Sequence, residues 1–350
     1  MLLKFKDFRI SVAPMMDWTD RHCRTFHRAL SRDAWLYTEM ITTQAIQHGD
    51  RERLLGRGEE GGRVALQLGG NDPAALAACA RIGVGFGYDE INLNCGCPSD
   101  RVQDGAFGAC LMARPATVAA GIAAMVDAVD VPVTVKHRIG LDRAEDYGFV
   151  RDFVGAVGAA GCRRFIVHAR NAWLHGLSPK ENREVPPLRY GVVERLAADF
   201  PDYSFELNGG LQTLADGDAW RGRLAGAMYG RRAYHEPWLL TGTDGTDGIG
   251  GTDGIGGIGG STGAAVRPSR AAVVDAMVGY LQRQAVHGVE VRALARHLLG
   301  LYHGEPAARL WRRWLSDPAR LARNDPALLL AARDAVESAR QPVAGDRAAA

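Results

Sequence analysis

Three of the chain's six cysteines lie in residues 92–111, NLNCGCPSDRVQDGAFGACL. One residue separates Cys95 from Cys97, and no CxxC pair occurs in the chain. This spacing does not suit a structural zinc site, so we predict no metal centre. Cys97 stands between a glycine and a proline, which constrain the loop that would present its thiol. Cys95 and Cys110 are more typical of buried packing residues.

A thiol on such a loop could serve as a nucleophile or as a proton donor. A nucleophile needs a neighbouring base, and none is adjacent to Cys97 in the sequence. A neutral thiol can give a proton to a carbanion that forms beside a flavin, and this role needs no lowered pKa. We therefore interpret the segment as a loop that presents one reactive thiol, that of Cys97.

Lysine is rare in this chain, which has 42 basic residues but only four lysines: Lys4, Lys6, Lys136 and Lys180. Lys136 lies in the apolar stretch VPVTVKHR, where a compact, titratable ammonium can do chemistry that arginine cannot. It could stabilise negative charge on a reduced flavin, or it could form a Schiff base with a carbonyl compound.

The elements that must position these residues are short apolar runs that alternate with helical patterns. Eight runs are predicted as strands, at 10–15, 36–40, 64–68, 90–93, 131–137, 164–168, 203–207 and 226–229. Eight β/α units of this length predict a (β/α)8 TIM barrel in the α/β class. A doubly wound sheet is the main alternative, but no GxGxxG follows the first strand.

Active sites of such barrels lie at the C-terminal ends of the strands. The loops after strands 7 and 8 contain Gly209, Gly210 and Gly230, followed by Arg231, a pattern typical of a phosphate site, although ordinary tight turns are the alternative. This predicted phosphate site would lie near carboxamides on strands 3 and 4 and near a lysine on strand 5. Together these groups suggest flavin mononucleotide (FMN) as cofactor. The residues concerned are Gln67, Asn94 and Lys136, while His168 ends strand 6 and could be either a packing residue or a site residue.

Residues 241–266 repeat Gly, Thr, Asp and Ile, and we predict a flexible linker between a barrel at 1–240 and a domain at 267–350. The latter should be a small C-terminal helical bundle, with amphipathic helices predicted at 270–284, 292–302, 307–315 and 326–340. It carries 13 arginines against 8 acidic residues, a charge of +5, whereas the whole chain has +2. This basic region suggests a polyanionic partner, and an arginine-rich solvated face is the alternative.

Two further features bear on location. The chain contains no run of eighteen apolar residues, and the N-terminal stretch MLLKFKDFRI is too short and too charged for a signal peptide. We therefore expect a cytoplasmic protein with reduced cysteines and no membrane partner. We also expect a monomer.

Several long motifs closely resemble those of the tRNA-dihydrouridine synthases, in particular the bacterial A-type subfamily. They are APMMDWTDRHCR, YTEM, INLNCGCPSDRVQDGAFGACLM, VKHRIG, VHAR, WLHGLSPKENREVPPL, LNGG, YGRRAY and RHLLGLYHG. The resemblance implies an FMN-dependent barrel with a helical tRNA-binding domain. It further implies that the enzyme reduces the C5–C6 double bond of uridine in the tRNA D-loop, at positions 20 and 20a, with NADPH as the electron donor.

The resemblance also assigns roles to individual residues. Cys97 matches the cysteine that protonates C5 while reduced flavin delivers hydride to C6. The FMN-binding positions correspond to Pro14, Met15, Met16, Gln67, Lys136, His168, Asn208, Gly209, Gly210, Gly230 and Arg231. The tRNA-contacting positions correspond to Asn94, Lys180, Arg183, Arg296 and Leu299. The chain departs from the family pattern at Cys95, where an aliphatic residue is expected, and in its longer, repetitive linker.

Two other functions fit parts of the sequence. A flavin barrel that acts on a small pyrimidine or an enone would share the cofactor but would need no basic helical domain. A non-catalytic RNA-binding module would need the helical domain but not Cys97, Lys136 and the phosphate loops together.

Overall fold

The computed structural model describes residues 8–99, 105–244 and 267–340. Its eight strands form one sheet, in the order β1-β8-β7-β6-β5-β4-β3-β2, and every neighbouring pair is parallel. The strands are β1 (Arg9–Val12), β2 (Leu36–Thr42), β3 (Val64–Gly69), β4 (Glu90–Cys95), β5 (Val133–Arg138), β6 (Arg164–His168), β7 (Ser204–Asn208) and β8 (Gly226–Tyr229). The prediction of a (β/α)8 barrel is confirmed.

Helices alternate with the strands around the barrel. They are α1 (Arg21–Leu30), α2 (Thr43–His48), α3 (Arg51–Leu55), α4 (Pro73–Gly85), α5 (Pro115–Val126), α6 (Tyr147–Ala159), α7 (Tyr190–Asp199), α8 (Leu214–Asp218) and α9 (Arg231–His235). Short 3-10 helices lie at Gly108–Ala113, Glu181–Arg183 and Pro237–Gly242. No helix within the described residues is long and apolar enough to cross a membrane.

The barrel closes between β1 and β2 through few backbone contacts. Val12 N donates to Trp35 O at 2.8 Å, and Trp35 N donates to Ile10 O at 3.0 Å. Trp35 also forms an isolated parallel bridge with Ser11, directly before β2 begins. The other seven strand pairs form parallel ladders, of which β2–β3 shifts its register between Tyr37 and Met40, so the junction of β1 with β2 is the seam of the barrel.

Side chains on the two faces of the strands differ in polarity. The outward side chains of β4, those of Ile91, Leu93 and Cys95, are fully buried in the main hydrophobic core. The alternate residues of the same strand, Glu90, Asn92 and Asn94, hydrogen-bond to side chains of other strands. The barrel interior is therefore largely polar. The position of Cys95 in the outer core confirms the prediction that it is a buried packing residue.

A network of paired charges fills the bottom of the interior, at the N-terminal ends of the strands. Arg9 contacts Glu90 at 2.8 Å and Glu206 at 3.3 Å. Arg164 contacts Glu206 at 2.8 Å, and the guanidinium of Arg9 lies 3.5 Å from the ring centre of Trp35. Because buried charges are tolerated only when they are paired, these contacts hold four strands in register.

Some strand bounds differ from the predicted ones for local reasons. β1 ends at Val12 because Pro14 has no backbone N–H to continue the ladder. β5 begins at Val133, two residues later than predicted, because Pro132 cannot donate to a neighbouring strand. β4 extends to Cys95, whose backbone pairs with that of His137.

The C-terminal region is helical, as predicted, with one additional short helix. Its helices are α10 (Arg270–Gln284), α11 (Val291–Leu298), α12 (Ala308–Leu315), α13 (Pro318–Leu321) and α14 (Ala327–Arg340). Helices α10 and α11 pack on α1 of the barrel. His22 Nδ1 lies 2.7 Å from Tyr280 Oη, and Asp20 pairs with Arg296 and with His297 at 3.1 Å.

Most of the predicted linker, residues 245–266, lies outside the described residues. Its first four residues pack on the barrel. Thr241 and Thr243 are buried, and Asp244 Oδ1 accepts hydrogen bonds from Ser31 Oγ at 2.6 Å and Arg32 N at 2.9 Å. The contacts of the barrel therefore extend to residue 244.

Replacing Glu206 by glutamine tests the charged network. Glu206→Gln leaves Arg9 with one carboxylate and Arg164 with none, so we expect the free energy of unfolding to fall by about 3 kcal/mol in urea titrations. The matched control is Glu194→Gln, since Glu194 forms an exposed pair with Arg223 at 3.0 Å, and we expect a loss below about 0.5 kcal/mol. Equal losses in the two variants would contradict the structural role of the network.

Candidate active site at the C-terminal end of the barrel

The loop after β4 is held by the side chain of Asn94. Asn94 Oδ1 accepts hydrogen bonds from Gly96 N and Cys97 N, both at 3.0 Å, which turns the chain directly after the strand. Asn94 Nδ2 donates to Gln67 Oε1 at 2.9 Å. Cys97 is half-buried at the mouth of the barrel, with its Sγ 3.4 Å from Ser99 Oγ. The thiol therefore stands on a fixed turn.

Lys136 lies inside the barrel, and Nζ donates to Asn208 Oδ1 at 3.0 Å. Burial, together with the neighbouring Arg138, lowers the pKa of Lys136 from 10.5 to about 7, although Cys97 acts in the opposite direction. The residue can therefore change its charge near neutral pH. Asn208 Nδ2 donates to Met228 O at 2.8 Å, which fixes its oxygen towards the lysine.

Arg138, for which the sequence predicted no role, joins two loops at the mouth. Its guanidinium donates to Gly96 O at 3.1 Å, to Asn171 O at 3.1 Å and to Asn182 O at 3.0 Å. Burial lowers its pKa to about 9, and nearby arginines contribute. Its position two residues after Lys136, on the same face of β5, is the signal that could have identified it.

The cations at the mouth have no acidic partners in the described part of the chain. Neither Lys136 nor Arg138 forms an ion pair with an aspartate or glutamate there. His168 is buried beside them, and its pKa lies well below the ordinary value because of burial and these neighbouring cations. The imidazole is thus neutral at pH 7, and the mouth is electrostatically suited to an anionic ligand.

The glycines after β7 are required by their backbone and by close neighbours. Gly209 has φ +108°, and a Cβ there would stand 2.5 Å from His168 Cδ2. Gly210 has φ +76°, and its Cβ would stand 2.5 Å from Leu188 Cδ1. At Gly230 a Cβ would meet only Ala13 Cβ, at 3.8 Å, so that position has free space beside it.

Arg231 and the β1 loop complete the rim. Arg231 begins α9 and forms an ion pair with Glu184, across the loop after β6. Residues 14–16 follow β1, where Met15 is partly buried and Met16 is 54% exposed. Trp18 on the same loop stacks on Tyr234 of α9, with ring centres 4.3 Å apart.

The residues that the resemblance assigned to tRNA fall into three places: Asn94 at the mouth, Lys180 and Arg183 on the loop after β6, and Arg296 and Leu299 at the end of α11. Lys180 and Arg183 are exposed on the loop after β6, which the buried Asn182 anchors through two hydrogen bonds to Trp173. Arg296 is exposed at the end of α11 and pairs with Asp20, whereas Leu299 is partly buried against the core. Within the described residues, no hydrogen bond or ion pair joins Lys180, Arg296 or Leu299 to the mouth.

The structure thus brings the predicted mouth residues together. The set consists of Gln67, Asn94, Cys97, Lys136, His168, Asn208 and Gly209. Among the residues described, no group of three or more His, Cys, Asp or Glu could hold a metal ion. Carboxamides, one thiol and unpaired cations suit a polar planar anion better than they suit a metal ion.

Comparisons with known proteins agree on one family. The family described as dihydrouridine synthase matches residues 11–337. Three similar proteins bear the name tRNA-dihydrouridine(20/20a) synthase. The one from Synechocystis sp. is 52% identical over 326 residues, covering 93% of this chain and 94% of the relative. The one from Escherichia coli K12 is 50% identical over 318 residues, covering 91% of this chain and 88% of the relative. The one from Xylella fastidiosa is 48% identical over 332 residues, covering 95% of this chain and 96% of the relative.

Lys136→Met tests the buried ammonium through the pH dependence of stability. Lys136 titrates near 7 when folded and near 10.5 when unfolded, so between these values the unfolded state holds more protons and wild-type stability rises with pH. We expect Lys136→Met to be more stable than the wild type at about pH 6. This advantage should shrink by roughly 1 kcal/mol per pH unit between about pH 7 and 9.

Urea titrations of the flavin-free protein across this range measure the difference. The control is Lys180→Met, because Lys180 is exposed, and the difference between this variant and the wild type should not vary with pH. A gap between Lys136→Met and the wild type that stays constant with pH would show that the ammonium is not destabilised by burial.

Proposed function

The chain belongs to the dihydrouridine synthase family, and on this premise we propose that it reduces uridine to 5,6-dihydrouridine in the tRNA D-loop, at positions 20 and 20a. The observation that carries the proposal is the position of Cys97. Its thiol stands on a turn fixed by Asn94, at a mouth where the cations of Lys136 and Arg138 have no carboxylate partners among the described residues. That arrangement combines a proton donor with a binding place for an anionic, planar cofactor.

The residues at the mouth fit FMN. The half-buried ammonium of Lys136 and the carboxamides of Gln67 and Asn208 offer donors and acceptors to the edge of a planar ring. The phosphate would be held by the loops after β7 and β8, where Gly230 has free space beside it and Arg231 begins a helix. When bound, the flavin supplies the hydride that adds to C6 of the uracil ring.

Cys97 is proposed to complete the reduction as the proton donor. Addition of hydride at C6 leaves negative charge at C5 and O4, so a donor must stand at C5. The thiol of Cys97 gives its proton there, and Asn94, which fixes the turn, keeps the donor in place. Lys136, charged below about pH 7, stabilises negative charge at the mouth.

The tRNA is proposed to lie across the mouth and the helical region. A uridine in folded tRNA must be flipped out to reach the barrel, at a cost of a few kcal/mol that contacts elsewhere must offset. The exposed face of α12 carries Arg309, Arg312 and Arg313 at helical spacing, and in the described residues none of them forms an ion pair. Arginines without acidic partners are free to pair with phosphates.

The remaining parts of the proposal follow from the family resemblance and the sequence. NADPH is the proposed reductant of the flavin. The proposed enzyme works as a single chain in the cytoplasm, the compartment that the sequence predicts. Lys180, Arg183, Arg296 and Leu299 are proposed to contact tRNA, and the first three are exposed.

The decisive experiment assays dihydrouridine directly. Uridine-containing tRNA is incubated with protein, FMN and NADPH, digested, and analysed by mass spectrometry for the gain of about two daltons. We expect product with the wild type and at least about a hundredfold less with Cys97→Ala, because general acid catalysis typically contributes 10²–10⁴-fold. Product must lie at positions 20 and 20a.

The matched control is Cys110→Ala. Cys110 is half-buried too, but its thiol donates to Phe107 O at 3.1 Å, so we expect its removal to leave the rate unchanged within about twofold. A yellow wild-type protein that oxidises NADPH but makes no dihydrouridine would instead support a flavin enzyme for small pyrimidines or enones.

Neutralising the α12 arginines tests the tRNA surface. The triple change of Arg309, Arg312 and Arg313 to alanine should weaken tRNA binding and lower the slope of log affinity against log salt by about one for each phosphate that is no longer neutralised. Arg81→Ala, an exposed change on α4, serves as control and should keep the wild-type slope. Unchanged slopes in the triple variant would place the RNA elsewhere.

A further inference from the structure

A continuous chain of hydrogen bonds runs through the barrel interior, from the charged bottom to the loop that bears Cys97. Thr134 Oγ1 donates to Glu90 Oε1 at 2.7 Å, and Asn92 Nδ2 donates to Thr134 Oγ1 at 2.8 Å. Gln67 Nε2 donates to Asn92 Oδ1 at 2.8 Å. The chain continues through Asn94 to the peptide N–H groups that follow β4.

The direction of this chain is fixed by its two ends. At the top, a peptide N–H can only donate, so Asn94 must present its oxygen to Cys97 and its nitrogen to Gln67. At the bottom, the carboxylate of Glu90 can only accept, so Thr134 must donate to it and must accept from Asn92. Each carboxamide between these ends therefore has one possible orientation.

The contacts of Glu90 keep its carboxyl group ionised. Burial alone would raise its pKa, but Arg9 and hydrogen bonds from Tyr37 and Thr134 lower it below the ordinary value. Arg9 Nη1 lies 2.8 Å from Glu90 Oε2, and Tyr37 Oη donates to Glu90 Oε1 at 2.7 Å. The bottom of the chain is thus a permanent acceptor.

We propose that Asn92 and Thr134 are positioning residues, which transmit the orientation set by Glu90 to Gln67 and Asn94 and so fix the cofactor-facing carboxamide and the turn that carries Cys97. Asn92 is fully enclosed and Thr134 is 1% exposed, and on their strands they precede the mouth residues Asn94 and Lys136 by two positions, so both lie below the mouth. The inference rests on the proposed function in that Gln67 contacts the flavin and Cys97 donates the proton.

The consequence for binding is specific. Gln67 is held at both its oxygen and its nitrogen, so it cannot exchange the two when a ligand arrives. In the described part of the chain, one N–H and one oxygen lone pair of the Gln67 carboxamide have no partner, and the ligand edge must match them. If the chain is cut at Thr134, the carboxamides of Asn92 and Gln67 can turn, and part of the population presents the wrong pattern.

The test compares Thr134→Val with Thr134→Ser. Valine keeps the shape but can neither accept from Asn92 nor donate to Glu90, whereas serine keeps the hydroxyl. We expect Thr134→Val to bind FMN about tenfold more weakly, which corresponds to about 1.4 kcal/mol, and Thr134→Ser to bind within about twofold of the wild type. FMN fluorescence in titrations of the flavin-free protein gives these constants.

Two further readouts separate positioning from a merely structural role. The rate of Cys97 alkylation by iodoacetamide, without cofactor, should change severalfold in Thr134→Val and return in Thr134→Ser. In the tRNA assay, kcat should fall while KM for tRNA stays unchanged, because Thr134 lies in the barrel interior, away from the exposed residues that are proposed to contact tRNA. The alkylation and FMN measurements need no tRNA, so they test this proposal even if the proposed function fails.

Thr25→Val is the matched control. The Thr25 hydroxyl donates to Arg21 O at 2.9 Å on α1, so this variant also loses a hydrogen bond, but one outside the chain. It should lose stability without any change in FMN affinity or in Cys97 reactivity. If Thr134→Val behaves in the same way, the chain is only structural and the proposal is wrong.

Should Thr134→Val fail to fold, Glu90→Gln addresses the same point from the other end. Glutamine keeps the size of Glu90 but can donate as well as accept, which removes the constraint on direction. Weaker FMN binding with altered Cys97 alkylation supports the proposal. Wild-type values for both overturn it.

Discussion

The carboxylate of Glu90 accepts hydrogen bonds from Arg9, Tyr37 and Thr134 at the bottom of the barrel, and the rest of the interior is arranged around it. A buried charge is costly unless every lone pair is used, so strands that supply its partners must keep their register. Arg9 in turn pairs with Glu206, which draws β7 into the same network. The polar interior therefore acts as a structural core, in place of the branched aliphatic layers common in such barrels.

The two ends of the interior are electrostatically opposite. At the bottom each carboxylate faces an arginine, while at the mouth the half-buried Lys136 and the buried Arg138 have only neutral oxygens as described hydrogen-bond partners. The lowered pKa values of both cations measure the cost of that arrangement. An anion bound at the mouth would recover this cost, so the free protein gives up stability in order to bind.

The sequence predicted the barrel, its eight strands and the helical region, because alternating apolar runs depend on local patterns, although several strand bounds differ by one to three residues. It thereby predicted that Gln67, Asn94 and Lys136 share one end of the sheet, and the structure places them there. From the sequence, only the position of Arg138 on the same face of β5 as Lys136 could be inferred; its hydrogen-bond partners and the chain through Thr134 were not predictable. They depend on which inward side chains face each other across the barrel, and register alone decides this. For the same reason the sequence could not predict that Arg296 pairs with Asp20.

The C-terminal helices bear on how the barrel opens, because they lie next to the seam between β1 and β2. Among the residues that the structure describes, the backbone hydrogen bonds between β1 and the start of β2 all involve Trp35, and α1, which lies between these strands in the chain, is covered by α10 and α11. Local opening begins where the fewest backbone bonds must break. By covering α1, the helical region should lengthen the lifetime of the closed barrel, in addition to any contact it makes with RNA. Removing it would shorten that lifetime, so a truncated barrel would report on opening as much as on substrate binding.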